Sequence, residues 1–260
     1  MSEAEQLARR AGDVLLPYYG RLHRADAARK AGARRDLVSE ADVAAEKELV
    51  AHIPAADDIL GEEGSERDTG ARRRWIVDPL DGTVNFLHGI PFWAVSVALV
   101  EDGVLQQGVV HAPALGWTFA AVRGEGATLN DEPMRVSSTG ALGDAIVATG
   151  FAYRRNELAD HNFDNFESIG MEAAGVRRLG AAAVDLALVA SGRIDGFWEL
   201  HLNAWDVAAG ILLVREAGGR VTGFEGDESL DPLLDEGHIV ATNGFLHEEL
   251  RGKLHTRRAR

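Results

Sequence analysis

Apolar residues recur along this chain with two different periods, and the changes of period mark the expected elements. Leu7, Ala8, Ala11, Val14, Leu15 and Tyr18 fall at helical spacing, which predicts an amphipathic helix near the start. A loop rich in Ala, Arg and Gly follows through Arg35. Ser39 reads as an N-cap, with Glu40 and Asp42 in the first turn and Leu49-Val50 on the buried side. Ile59-Leu60 and Arg74 to Val77 read as strands, the second ending at Asp78 and Asp81. Phe92 to Val100 and Val104 to Val110 predict a hairpin around Glu101-Asp102-Gly103. Trp117 to Val122 extends this antiparallel sheet, and Gly124-Glu125-Gly126 closes it.

Beyond about Val136 strands alternate with helices. Ala145 to Ala148, Val176 to Leu179, Ile194 to Leu200, Arg220 to Thr222 and Ile239 to Ala241 read as strands. Glu157 to Ile169, Ala182 to Ala190, Trp205 to Ala217 and a segment from about Leu246 read as helices, with Gly218-Gly219 just past the third. The first half is therefore α+β and the second α/β. No Gly/Ser/Pro linker separates them. The expectation is one compact unit of two subdomains, 1–135 and 136–260, with a cleft between them.

Composition narrows the function classes. With 46% hydrophobic and 26% charged residues the 260-residue chain is a soluble globular type. A net charge of −14 speaks against nucleic-acid binding, which needs basic patches to displace counterions. The absence of cysteine removes disulfide frameworks, zinc ribbons, iron–sulfur sites and thiol catalysis. The polar, acidic start Met1-Ser2-Glu3-Ala4-Glu5-Gln6 is unlike a secretory signal, and no apolar run approaches the ~20 residues of a membrane span. The expected location is cytoplasmic. The basic end Arg257-Arg258-Ala259-Arg260 reads as a frayed tail.

Candidate chemistry concentrates in Trp75-Ile76-Val77-Asp78-Pro79-Leu80-Asp81-Gly82-Thr83. Two aspartates at i, i+3 end an apolar run, and Gly-Thr follows at once. Such carboxylates suit Mg²⁺, which prefers oxygen ligands, and Gly-Thr amides opening a helix can point at a phosphate. A strand followed by an ordinary Asp-Gly turn fits the same residues. Asp42, Glu62 and Asp206 also stand where strands or loops meet helices. Bringing these acids together is unfavourable without cations, and a two-metal site is the usual solution. Other chemistries lack their residues. There is no Walker P-loop, no Gly-x-Ser-x-Gly elbow, no third glycine for a dinucleotide fingerprint and no close histidine pair. His247-Glu248-Glu249 reads as a solvated helix face.

Gly61-Glu62-Glu63, then Asp78 through Phe86, then Ala204-Trp205-Asp206-Val207-Ala208-Ala209-Gly210 resemble the three signatures of the inositol monophosphatase family, over nearly the whole chain. The resemblance implies a layered αβαβα sandwich of the sugar-phosphatase type and hydrolysis of myo-inositol monophosphate by a metal-activated water. Glu62, Asp78 and the Leu80 carbonyl would hold one Mg²⁺, and Asp78, Asp81 and Asp206 a second. Glu62 with Asp42 would reach a weaker third through waters. Glu62, Thr83 and Asp42 would be catalytic. Asp81, Gly82, Thr83, Gly180, Ala181, Ala182, Glu199 and Asp206 would contact substrate, and Lys30 with Asp36 to Ser39 would form a mobile loop. The resemblance further implies Li⁺ inhibition, a homodimer, and a small phosphorylated polyol as partner rather than nucleic acid or membrane. Histidinol phosphate, or a broader sugar or nucleotide phosphomonoester, is the alternative substrate. A regulatory or binding protein on the same fold is the other reading.

Overall fold

Period-two alternation on two central strands sets the layering. On strand Arg73–Asp81, Trp75 and Val77 face one apolar cluster while Ile76 belongs to another. On Ala94–Glu101, Val95, Val97 and Leu99 join the first, and Ala94 and Ala98 the second. Successive side chains of a strand point to opposite faces, so this sheet is buried on both. The computed structural model describes residues 1–30 and 37–256.

The eight-stranded sheet runs in the order Glu132–Pro133, Gly126–Leu129, Trp117–Val122, Val104–Ala112, Ala94–Glu101, Arg73–Asp81, Asp58–Gly61, Glu66–Arg67. Only Asp58–Gly61 and Arg73–Asp81 pair in parallel. Helices Glu3–Leu15 and Glu40–His52 cover one face through Leu7, Ala11, Leu15, Ala45 and Leu49. Gly12 makes room there: a Cβ at this position would lie 2.6 Å from His111 Cδ2. Helices Ala182–Ala190 and Ala204–Glu216 cover the other face and also meet the second sheet. All nine residues of Ala182–Ala190 are buried, as a helix between two sheets requires.

The five-stranded sheet runs Gly175–Arg177, Ile146–Thr149, Gly196–Glu199, Ile239–Thr242, Arg220–Thr222, the first three parallel. Its far side packs Val147, Trp198 and Val240 against Ile169 of helix Phe163–Gly170 and Leu250 of His247–Arg251. Helix pair, sheet, helix pair, sheet and outer helices give the αβαβα order. No described helix is long and apolar enough to cross a membrane.

Several expectations need correction. Gly124-Glu125-Gly126 does not close the sheet but turns into strand Gly126–Leu129, which pairs with Trp117–Val122. The segment from Glu157 is not helical until Phe163, because Asn162 sits at φ 66 and spends its side chain on Gly150 O, Thr149 Oγ1 and Trp198 Nε1. Part of the Ala/Arg/Gly loop is ordered: Ala28–Arg29 pairs antiparallel with Leu37–Val38. Asp36 and the terminal Arg257 to Arg260 lie outside the described residues.

His247 is not on a solvated face; it is fully buried between Thr222 and Thr242. Thr222 Oγ1 donates to Gly223 O at 2.7 Å, so it accepts from His247 Nε2 at 3.0 Å. Nδ1 then accepts from Thr242 Oγ1, also at 3.0 Å. This network suits the neutral ring. Burial and the nearby Arg220 and Arg251 push the imidazole down to about 4. A folded-state value below the unfolded ~6.5 gives stability that is complete above pH 6.5 and lost as pH falls toward 4. The expected contribution lost between pH 7 and pH 5 is roughly 2 kcal/mol. Buried carboxylates elsewhere shift in the opposite sense, so the measurement is a difference. Urea unfolding at both pH values should show wild type losing about 2 kcal/mol more than His247→Gln; equal losses would remove His247 as an acid-sensitive group.

Candidate active site

In a regular strand, residues at i and i+3 face opposite sides. Asp78 and Asp81 nevertheless line the same cleft. The strand continues through Asp81, and its register against Ala94–Glu101 slips between Asp78, opposite Ser96, and Asp81, opposite Ala94. That bulge absorbs one residue and re-aims the side chains. Pro79, which has no N–H to contribute to a ladder, falls inside it. Asp78 Oδ1 accepts the Leu80 N–H at 2.9 Å. Asp81 Oδ2 accepts the Ala183 N–H at 2.8 Å, at the start of helix Ala182–Ala190, where the dipole favours negative charge.

Gly82 takes φ 85 and opens the short helix Thr83–Leu87. A Cβ there would lie 2.8 Å from Phe92 O, so both conformation and space demand glycine. The Thr83 hydroxyl lies 2.9 Å from Asp42 Oδ1 and 3.0 Å from Leu80 O. Asp42 is the third residue of helix Glu40–His52 and completes a capping box: its Oδ2 accepts from Ser39 N at 2.8 Å and Ser39 Oγ at 2.6 Å. A second capping box places Asp206. Asn203 is the N-cap of Ala204–Glu216, and its N–H donates to Asp206 Oδ2 at 2.6 Å.

Glu62 follows strand Asp58–Gly61, and its Oε1 accepts from Lys30 Nζ at 2.7 Å. The same ammonium lies 2.7 Å from Glu63 Oε1. Burial alone would lower the Lys30 value, but the two glutamates outweigh it and hold the ammonium charged.

Glu62, Asp78, Leu80, Asp81, Gly82, Thr83, Gly180, Ala181, Ala182, Glu199 and Asp206 all line one cleft of about 110 Å³. Of the expected site residues, Asp42 and Lys30 stand behind it, each bonded to a residue that lines it. Burial, then Glu62, Asp81 and Asp206, push Asp78 well above the usual carboxylate range. Burial and Glu62 push Asp206 up in the same way. Glu199 is pushed up to about 8, chiefly by burial, with Arg178 opposing and Asp81 adding to the rise. Among the described residues, no three acidic or imidazole side chains already stand as a close cation cage. Glu62 is bonded to Lys30 instead.

Three further residues support the site: Asn85, which lies within the middle signature, and Gly150 and Asp185, which carry no motif. Asn85 Nδ2 donates to Phe92 O at 2.6 Å and to Leu179 O at 2.9 Å, tying the Gly82 turn to the Gly180 turn. Gly150 leaves space for the Glu199 carboxylate, which any Cβ at that position would strike. Asp185, buried on helix Ala182–Ala190, has an oxygen without a hydrogen-bond partner among the described residues and feels Glu199, Asp81 and Arg178. Each depends on contacts distant in sequence.

Comparison with known proteins shows the family. Residues 1–259 match the model of the inositol monophosphatase family. An inositol-1-monophosphatase of Rhizobium meliloti is 47% identical over 221 residues, covering 83% of this chain and 82% of that protein. A Nus factor SuhB of Pseudomonas aeruginosa is 46% identical over 217 residues, covering 80% and 79%. The crystal structure of the extragenic suppressor protein suhB from Bartonella henselae has TM-score 0.87 at 41% identity, covering 95% of both chains. The Thermotoga maritima IMPase has TM-score 0.86 at 36% identity, covering 96% of this chain and 94% of that one. This chain belongs to the inositol monophosphatase family.

Proposed function

We propose that the protein is a Mg²⁺-dependent phosphomonoesterase that hydrolyses myo-inositol monophosphate to inositol and phosphate. One observation carries the choice of substrate: Glu199, a carboxylate suited to paired hydroxyls, shares a cleft with Asp78, Asp81, Asp206 and the Gly82-Thr83 turn. The donor set fits a hard divalent cation. Every donor is oxygen, and the burial and mutual repulsion that raise Asp78 and Asp206 are offset by positive charge. Glu62, Asp78 and the Leu80 carbonyl would hold one ion, and Asp78, Asp81 and Asp206 the other. Bound there, Mg²⁺ supplies Lewis-acid stabilisation to the phosphoryl oxygens and the departing alkoxide.

The chain's own residues do the rest. The Thr83 hydroxyl donates to Asp42, so its lone pairs are left to accept from the attacking water and hold it in line. Glu62, hydrogen-bonded to Lys30, takes the water's proton. The amides of Gly82 and Thr83 hold phosphate oxygens at the unsatisfied start of a helix. Glu199 accepts hydrogen bonds from the hydroxyls of the polyol.

Glu199 and Gly150 test the substrate choice together. In a panel of inositol, histidinol and sugar phosphates, Glu199→Ala is expected to lower kcat/KM for inositol monophosphate by roughly 10- to 100-fold. Gly150→Ala, which displaces the same carboxylate, should reproduce much of that loss. Unimpaired hydrolysis of inositol phosphate by Glu199→Ala would remove the polyol assignment and favour the broader phosphatase reading. Relatives named Nus factor SuhB motivate a second reading, a binding or regulatory role on this fold. A hydrolysis rate that stays flat as Mg²⁺ rises, with every phosphomonoester, would favour it.

A further inference from the structure

We propose that His201 is a specificity-determining residue of this cleft, and that its imidazole Nδ1 accepts a hydrogen bond from a hydroxyl of the substrate's alcohol. The inference rests on the phosphatase reading and adds a second alcohol contact to Glu199. His201 lies between strand Gly196–Glu199 and helix Ala204–Glu216, and it lines the cleft with Glu199, Asn203 and Asp206.

The backbone singles this residue out. Among the described residues, Asp102, Asn130, Asp131, Asn162 and His201 are the non-glycine positions with positive φ. Four of them are Asp or Asn, whose short polar side chains ease that conformation. His201, at φ 61, places an imidazole ring there, and of the five it alone lines the cleft. Glycine would take the same turn without strain. A strained residue persists only where its surroundings over-determine it, and such residues gather at functional sites.

The surroundings of His201 come from three distant segments. Its Nε2 lies 3.1 Å from Asp160 O, in the loop before helix Phe163–Gly170. Its ring meets His238 edge-on with centroids 4.9 Å apart, and His238 packs in turn on Phe224. Leu202 N donates to Gly237 O at 3.1 Å, and a Cβ on Gly237 would strike the Leu202 carbonyl, so the two turns are pressed together.

These contacts also fix the tautomer. A carbonyl oxygen only accepts, so Nε2 carries the hydrogen and donates it to Asp160 O. In the neutral ring Nδ1 is then a bare acceptor. Among the described residues no hydrogen bond reaches it, and it is not one of the buried atoms left without a partner, so it stays accessible. Two acceptors in one cleft, Glu199 and His201, suit an alcohol with several hydroxyls and discriminate against one that has none.

The test compares myo-inositol 1-phosphate with cyclohexyl phosphate, which keeps the ring and lacks the hydroxyls. His201→Gly, which keeps the left-handed turn, is expected to lower kcat/KM for the inositol ester by roughly 5- to 10-fold and to leave cyclohexyl phosphate unaffected. An equal loss with both esters, or no loss with either, overturns the proposal. Two-bond ¹H–¹⁵N spectra of the histidine rings read the contact without turnover, with the His201 signals assigned by their loss in His201→Gly. Nε2 should be the protonated nitrogen, and Nδ1 should shift when myo-inositol 1-phosphate is added with Ca²⁺ in place of Mg²⁺. A Nδ1 signal that the ester leaves in place overturns the proposal. If wild type hydrolyses neither compound, the phosphatase reading falls while the ring spectra still decide the contact.

Discussion

Replacing Asp81 with Asn is expected to cut kcat for phosphomonoester hydrolysis by about 10²–10³-fold and to raise the Mg²⁺ concentration needed for half-maximal rate. The substitution keeps the shape of the side chain. An amide oxygen can still accept the Ala183 N–H that now reaches Asp81 Oδ2 at 2.8 Å. What disappears is one negative charge in the cleft. Burial and Glu62 already hold Asp81 above the usual carboxylate range, so neutralising it relieves strain in the cation-free protein. Thermal stability should therefore stay level or rise while turnover falls. Steady-state kinetics with a Mg²⁺ titration, alongside a melting curve, separates the two effects. Near-normal turnover would sink the two-metal reading.

Thr83→Ala should lower kcat by about 10²-fold with KM little changed. The hydroxyl is buried, lies 2.9 Å from Asp42 Oδ1, and is proposed to orient the attacking water. Asp42 keeps its two bonds from Ser39, at 2.8 and 2.6 Å, so the helix start survives. Leaving Oδ1 unsatisfied costs about 1–2 kcal/mol of stability. Thr83→Ser restores the hydroxyl and should recover most of both losses. A variant with normal kcat and raised KM would assign Thr83 to binding alone. Full activity at Thr83→Ala would remove it from the reaction.

Short-range chemistry was the most legible part of the molecule. Ser39 with Asp42 forms a capping box across three residues, and the spacing is visible in one turn of sequence. The Asp102-Gly103 hairpin turn, with φ 49 and 77, was equally readable, because few residues tolerate that conformation. The aspartate pair was legible as chemistry, but the strand does not end there. A bulge carries it through Asp81, and nothing in the i, i+3 spacing alone distinguishes that bulge from a turn. The helix expected from Glu157 failed because Asn162 is recruited by Thr149, Gly150 and Trp198. His247 failed for the same reason: its surroundings are Thr222 and Thr242, which strand pairing brings beneath it.

By itself, the sequence determined which residues gather at the acidic end of the cleft, because Asp78 to Thr83 lie within six positions and the caps at Asp42 and Asp206 are local. Hydrophobic periodicity likewise determined the alternation of sheets and helices. Only the tertiary structure decided the Glu199 side of the cleft. Gly150 beside Glu199, Asn85 bridging to Leu179, and Asp160 bonded to His201 are meetings of residues dozens of positions apart. Such contacts arise from how layers stack, and that stacking is set by cooperative burial over the whole chain rather than by any local pattern.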